Sequence, residues 1–83
     1  MPRYFFDVDD GNSVTRDDIG LELDGPDVAE REALRTLGDI ARDILVEHGS
    51  GLTLRLGIRT EERPTVFLAT LTLTLTFGEI PGP

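Results

Sequence analysis

Hydrophobic and polar positions alternate most strictly near the end of the chain. From Phe67 to Phe77 the odd positions read Phe67, Ala69, Leu71, Leu73, Leu75 and Phe77, and the even positions from 70 to 76 are all Thr. A period of two with β-branched partners predicts a strand with one face on a core. The strand is expected to run from Thr65 to Phe77. Val66 and Leu68 are even but Ala69 onward is odd, which predicts a bulge near Phe67 that restores one apolar face. The same period appears at Leu52, Leu54, Leu56 and Ile58, with Thr53, Arg55, Gly57 and Arg59 between them, and predicts a strand over Leu52–Thr60. Glu61-Glu62-Arg63-Pro64 makes the turn between these two strands.

The first strand is predicted over residues 3–9. Tyr4, Phe6 and Val8 share one face, and Arg3, Phe5, Asp7 and Asp9 the other. Phe5 breaks the polarity of that second face, so the face is expected to be partly covered near the strand's start. Asp9-Asp10-Gly11-Asn12 predicts a hairpin turn, because Gly and Asn accept positive φ at little cost. A short second strand follows over Ser13–Asp17. Ile19, Leu21 and Leu23 alternate beyond it and predict an extended segment over 19–23, continuing the second strand past a bulge at Gly20.

Between the two hairpins the period changes to that of a helix, predicted from Pro26 to His48. Ala33, Leu34, Leu37, Ile40, Ala41, Ile44 and Leu45 recur at three- and four-residue spacing and form one stripe. Gly25-Pro26 suits an N-cap followed by Pro at the first helical position, and Asp27 and Glu30 lie where the helix dipole favours acids. Gly49 is placed to end the helix. Asp27–Arg31 and Arg35–Asp39 stand at i,i+4 spacing for ion pairs. Gly38, at the stripe's edge, is read as a close contact between helix and sheet. The order is ββαββ. The fold class is α+β, one antiparallel sheet of about four strands with a single helix on one face. Residues 1–78 are expected to form one domain, with 79–83 as a flexible tail.

Composition changes this picture in three places. The chain has 83 residues and no Cys, which excludes disulfides and thiolate chemistry and favours a reducing compartment. It contains no run of about 18 apolar residues, so no membrane-spanning helix is expected and a cytoplasmic location is. Sixteen acids against eight bases give a net charge of −8, which repels phosphate backbones and argues against direct nucleic-acid binding. All eight bases are Arg, which coding bias toward GC-rich codons accounts for.

Candidate chemistry is sparse. Asp7, Asp9, Asp10, Asp17 and Asp18 crowd the first hairpin and raise the question of a divalent-cation site. An EF-hand loop needs oxygen ligands at its positions 1, 3 and 5 and Gly at 6. Starting at Asp7 puts Gly11 at position 5, and placing Gly11 at position 6 puts Phe6 at position 1, so neither EF-hand register works, and a weak divalent-cation site in the first hairpin stays as a third reading behind protein contact and an antitoxin-like role. His48 is the only His and sits at the helix C-terminus, where the dipole accounts for it. Ser13 and Ser50 lie in no nucleophile elbow, and Gly49-Ser50-Gly51 follows a helix rather than preceding one, so it makes no phosphate cradle. No catalytic residue, cofactor or metal ligand is assigned, and no enzymatic activity is expected.

The Leu–Thr strand carries the remaining signal. Thirteen extended residues span roughly 43 Å, longer than the nine-residue strand before them can cover. The excess either pairs with the first strand, which makes the last strand central, or leaves a long uncharged edge open to β-augmentation. The second reading makes Leu71, Leu73, Leu75 and Phe77 the candidate interface of a homodimer or of a contact with another protein.

The opening Met1-Pro2-Arg3-Tyr4-Phe5-Phe6-Asp7-Val8, the pair Asp10-Gly11, the segment Asp17-Asp18-Ile19-Gly20-Leu21-Glu22-Leu23 and the Ala-rich helix together resemble a family of small uncharacterised bacterial proteins. Its members open M-P-R-Y-F-F and carry D-x-x-G-x-E-L before the helix. The likeness covers about the first 48 residues, and it implies a bacterial cytoplasmic origin and no chemistry. The Leu–Thr run looks atypical of it. The chain is also similar, more weakly, to the antitoxin half of HicA/HicB-type toxin–antitoxin pairs, which implies an acidic partner for a small basic protein. The P-D-L-P-G segment of those antitoxins is replaced here by Gly20-Leu21-Glu22-Leu23-Asp24-Gly25.

Overall fold

The computed structural model describes residues 1–48, 51–76 and 78–82, without the side chain of His48. The helix-ending role read for Gly49, the Ser50 position and Phe77, the last of the four interface candidates, lie outside the described residues.

The elements in order are β1 (Arg3–Asp9), β2 (Val14–Thr15), β3 (Leu21–Glu22), α1 (Pro26–His48), β4 (Leu52–Arg59) and β5 (Phe67–Leu73). They form one antiparallel five-stranded sheet with α1 on one face, the α+β class that the patterning predicts with one more strand. The sheet runs β2-β1-β4-β5, and β3 also pairs with β1. No helix among the described residues is long and apolar enough to cross a membrane.

The strand with the cleanest alternation is the central one. Leu54, Leu56 and Ile58 of β4 are fully buried, and Leu52 nearly so. Each such side chain contributes about 1.5–3 kcal/mol relative to exposure. Above them α1 presents Ala29, Ala33, Leu37 and Ala41, every fourth residue, all buried. Three of the four are Ala, which lets the helix backbone approach the sheet. Tyr4, Phe6 and Val8 of β1 and Leu23 complete this core from one side, with Phe67, Ala69, Leu71 and Leu73 of β5 on the other. The Gly25 carbonyl accepts the first helical N–H, from Ala29, as an N-cap residue should.

Several expectations are corrected. The last strand is seven residues, not thirteen, and it is not central: β4 lies between β1 and β5, and β5 is an edge. Its register with β4 is unbroken from Ile58↔Phe67 to Leu52↔Leu73, so parity does not change within the strand; just before it the Val66 N–H also donates to the Ile58 carbonyl at 2.8 Å. Phe67 simply joins the inward set, and Leu68 is left 62% exposed on the outer face. The second strand is two residues long. Arg16–Gly20 interrupts it before β3 resumes on the same edge of β1. Of Ile19, Leu21 and Leu23, only Leu23 packs on the core. Leu34, read into the helix stripe, is exposed, and Gly38 faces open space rather than the sheet. The helix ion pairs form at i,i+3, Arg35–Glu32 and Arg42–Asp39, in place of the expected i,i+4 pairs.

Gly20 is where the backbone leaves no alternative. Its φ is +75°, and a Cβ there would stand 2.9 Å from Arg3 Cγ and 3.0 Å from the Phe5 ring. Gly20→Ala is therefore expected to lower the free energy of unfolding by about 2–4 kcal/mol, through left-handed strain plus overpacking. Gly38→Ala, in open space within the helix, should raise it by about 0.5–1 kcal/mol. Urea unfolding of both variants checks the contrast, and equal effects would contradict it.

Candidate functional site

Two regions stand out: a polar lock on the outer face of the sheet, and the free edge of β5. The lock starts from the gap between β2 and β3. β2 pairs with Val8 and Asp9, and β3 with Arg3 and Tyr4, so the middle of that edge of β1 has no strand beside it. The Asp17 carboxylate fills the gap. One oxygen, Oδ2, accepts the Phe6 N–H at 3.0 Å, and the other, Oδ1, accepts the N–H groups of Ile19 and Gly20 at 3.0 Å each. In return the Asp17 N–H donates to Asp7 Oδ1 at 2.9 Å. A side chain thus supplies what a strand would otherwise give.

Arg59 ties this loop to the central strand. Its Nε donates to Asp7 Oδ2 at 2.8 Å, and one terminal nitrogen to the Asp17 carbonyl at 2.6 Å. The guanidinium lies over the Phe5 ring, 4.6 Å from its centroid. Phe5 is therefore buried on the nominally wet face, under Arg59 and against Gly20, as its break in the alternation led us to expect. Arg3 holds the far end of the loop through the Ile19 carbonyl at 2.8 Å and Glu22 at 3.2 Å. Burial pushes the Asp17 carboxyl up. The N–H donors of Gly20, Phe6 and Ile19 and the charge of Arg59 outweigh it and hold the group below the usual carboxylate range.

The five hairpin acids are thus divided. Asp9 and Asp10 accept the N–H groups of Gly11, Asn12 and Ser13 and shape the turn. Asp7 and Asp17 build the lock, and Asp18 is exposed. Among the described residues no three acidic or His side chains converge on one point. No buried side-chain nitrogen or oxygen among them lacks a partner. The lock's donors and acceptors are turned on one another. An open cleft of about 390 Å³ lies nearby, lined by Met1, Pro2, Arg3, Glu22, Thr60, Glu61 and Glu62. Two of its polar groups are already engaged: the Thr60 hydroxyl accepts the Arg63 N–H at 3.0 Å, and Glu22 pairs with Arg3.

At the other edge, Leu71 and Leu73 point toward the helix side and are half-buried against the core, while Leu75 lies past the end of β5 and is 36% exposed. The structure brings Leu71 and Leu73 onto one face with Phe67 and Ala69. Thr70 and Thr72 stand exposed on the other face. Sequence reasoning placed the interface candidates on this strand but missed the lock, whose members lie as far as 52 residues apart.

Residues 3–72 match the model of a domain of unknown function, DUF6894. The chain belongs to that family. The match reaches past the first 48 residues, through α1 and β4 and to within one residue of the end of β5. Residues 73–83 lie beyond it. No curated protein and no solved structure matches the chain.

For this DUF6894 domain the lock makes acid sensitivity a direct readout. The fold holds Asp17 ionised more readily than the unfolded chain does. Its contribution is whole above the unfolded carboxyl value near pH ~4 and is lost as the pH falls through the lower folded value. Urea midpoints followed from pH 7 to pH 2 should fall across that window in the wild type. The fall should be smaller in Asp17→Asn, which keeps an acceptor oxygen but cannot titrate. Identical profiles would contradict the assignment.

Proposed function

We propose that this chain is a small non-enzymatic protein-interaction module that self-associates through its C-terminal strand. The observation that carries the reading is the state of β5: an edge strand with a half-covered apolar face and no charged residue from Pro64 to Gly78. Native edges are blunted by charge, Pro or bulges, and this one has none of these within the strand. Four of the five clustered acids of the first hairpin are absorbed by the lock and the first turn, which supports a role in contact rather than catalysis. The absence of Cys suits a reducing compartment, and the reading takes the chain to act in the bacterial cytoplasm.

One observation favours a second reading. The net charge is −8, and Glu30, Asp43, Glu61 and Glu62 are among the acids exposed on the surface. An acidic, antitoxin-like partner of a small basic protein would present such a surface.

Light scattering on a sizing column separates the two. The 9.1 kDa chain should elute at twice its mass, and Thr72→Lys at its own mass while still folded. Thr72 is exposed on the outer face, so a charge there burdens the edge and not the core. Leu73→Arg should also lose the dimer. A wild type that stays monomeric at millimolar concentration overturns self-association, and stable co-elution with a small basic protein would then carry the second reading.

A further inference from the structure

The alternation of Leu and Thr does not stop where β5 stops. β4 begins at Leu52, which pairs with Leu73, so Thr74, Leu75 and Thr76 continue the sequence pattern past it, with no strand beside them among the described residues. The molecule measures 60 × 24 × 16 Å, with a radius of gyration of 15.8 Å against about 12 Å for a compact chain of this length. The 23-residue helix accounts for only about 35 Å of the long axis.

We infer that the occupant of this edge is a second copy of the same strand, paired antiparallel about a two-fold axis, with residues 74–76 recruited into the joint sheet. This rests on the self-association reading and specifies it. Three observations support a second copy. First, the segment is self-complementary: in an antiparallel pair the residues directly opposite share a face. Within Ala69–Thr76, any register whose paired positions sum to an even number therefore sets Leu against Leu or Ala, and Thr against Thr. An odd sum would set Leu against Thr, with the two helices on opposite faces. Second, two chains of charge −8 repel wherever acids meet, and Pro64–Gly78 is a stretch long enough for a strand that carries no charge. Third, the pairing gives Thr74–Thr76 a strand partner beyond Leu52, where β4 begins among the described residues. The product is one continuous sheet through both copies, with both helices on the same side. The half-covered Phe67, Leu71 and Leu73 of each copy line the seam between the helices.

The chain has no Cys, so single introduced thiols report on this pairing without interference. Thr70→Cys, Thr72→Cys and Thr74→Cys would be made singly and mixed in pairs. Thr53→Cys, exposed on the same face but on the central strand, serves as the control. Directly opposed strand residues lie within disulfide reach, so one combination should cross-link at least about tenfold faster than the control under mild oxidation. That combination gives the register. Circular dichroism confirms that each variant is folded. A dimer by light scattering in which no combination outpaces Thr53→Cys overturns the pairing but leaves self-association standing. A folded monomer at every concentration overturns both.

Discussion

An α-helix with its side chains is about 10–12 Å across, and neighbouring strands sit about 4.8 Å apart, so α1 can cover little more than two strands of the sheet beneath it. The rest of the structure follows from where that cover falls. It falls on β4, whose Leu54, Leu56 and Ile58 are shut off from water by Ala29, Ala33, Leu37 and Ala41. Tyr4 at the start of β1 is buried as well, but Phe6 and Val8 are only half so, and every inward residue of β5 is in the same state. An 83-residue chain with one helix has a modest core and leaves apolar surface at its margin, where association adds burial that folding alone does not supply.

The two edges of the sheet are treated differently. Beside β1 the chain spends β2, β3, the Asp17 carboxylate and Arg59 on closing the ladder, down to the single Phe6 N–H that neither short strand reaches. The Asp7–Arg59 pair is mostly shielded, with 23% and 15% of the respective side chains exposed, and it is hydrogen-bonded on both sides, so its partners do not stand as uncompensated charges. Beside β5 there is no such device among the described residues. One edge is locked by polar chemistry and the other is left uncharged and open. That asymmetry makes this DUF6894 domain a candidate for assembly through one edge only.

What could be read from the sequence was local periodicity. The bounds of α1 and the inward face of β4 followed directly from spacing, because one helix stripe and one strand face each answer to their own neighbours. The burial of Phe5 was legible as a break in alternation. Strand order was not, since length suggested a central place for the Leu–Thr strand while pairing depends on where β4 begins and ends. Gly38 looked like a packing residue because stripe position says nothing about what stands opposite. The lock was the least legible. Asp17 and Gly20 stand in the D-x-x-G segment that carries the family likeness. Their partners Phe6, Asp7 and Arg59 lie 11, 10 and 42 residues from Asp17, beyond any local pattern. The acids of the first hairpin were visible as a cluster, but only the fold divides them into turn and lock.

Assembly through β5 requires that its outer hydrogen-bonding edge be satisfied by another copy. Amide hydrogen exchange, read residue by residue over a range of protein concentrations, addresses that edge directly. The β5 amides that point away from β4, together with those of Thr74–Thr76, should exchange slowly in concentrated samples and speed up on dilution, while β4 amides stay protected throughout. If the outward β5 amides exchange as fast as an open loop at every concentration while β4 remains protected, the edge is free and the account is wrong.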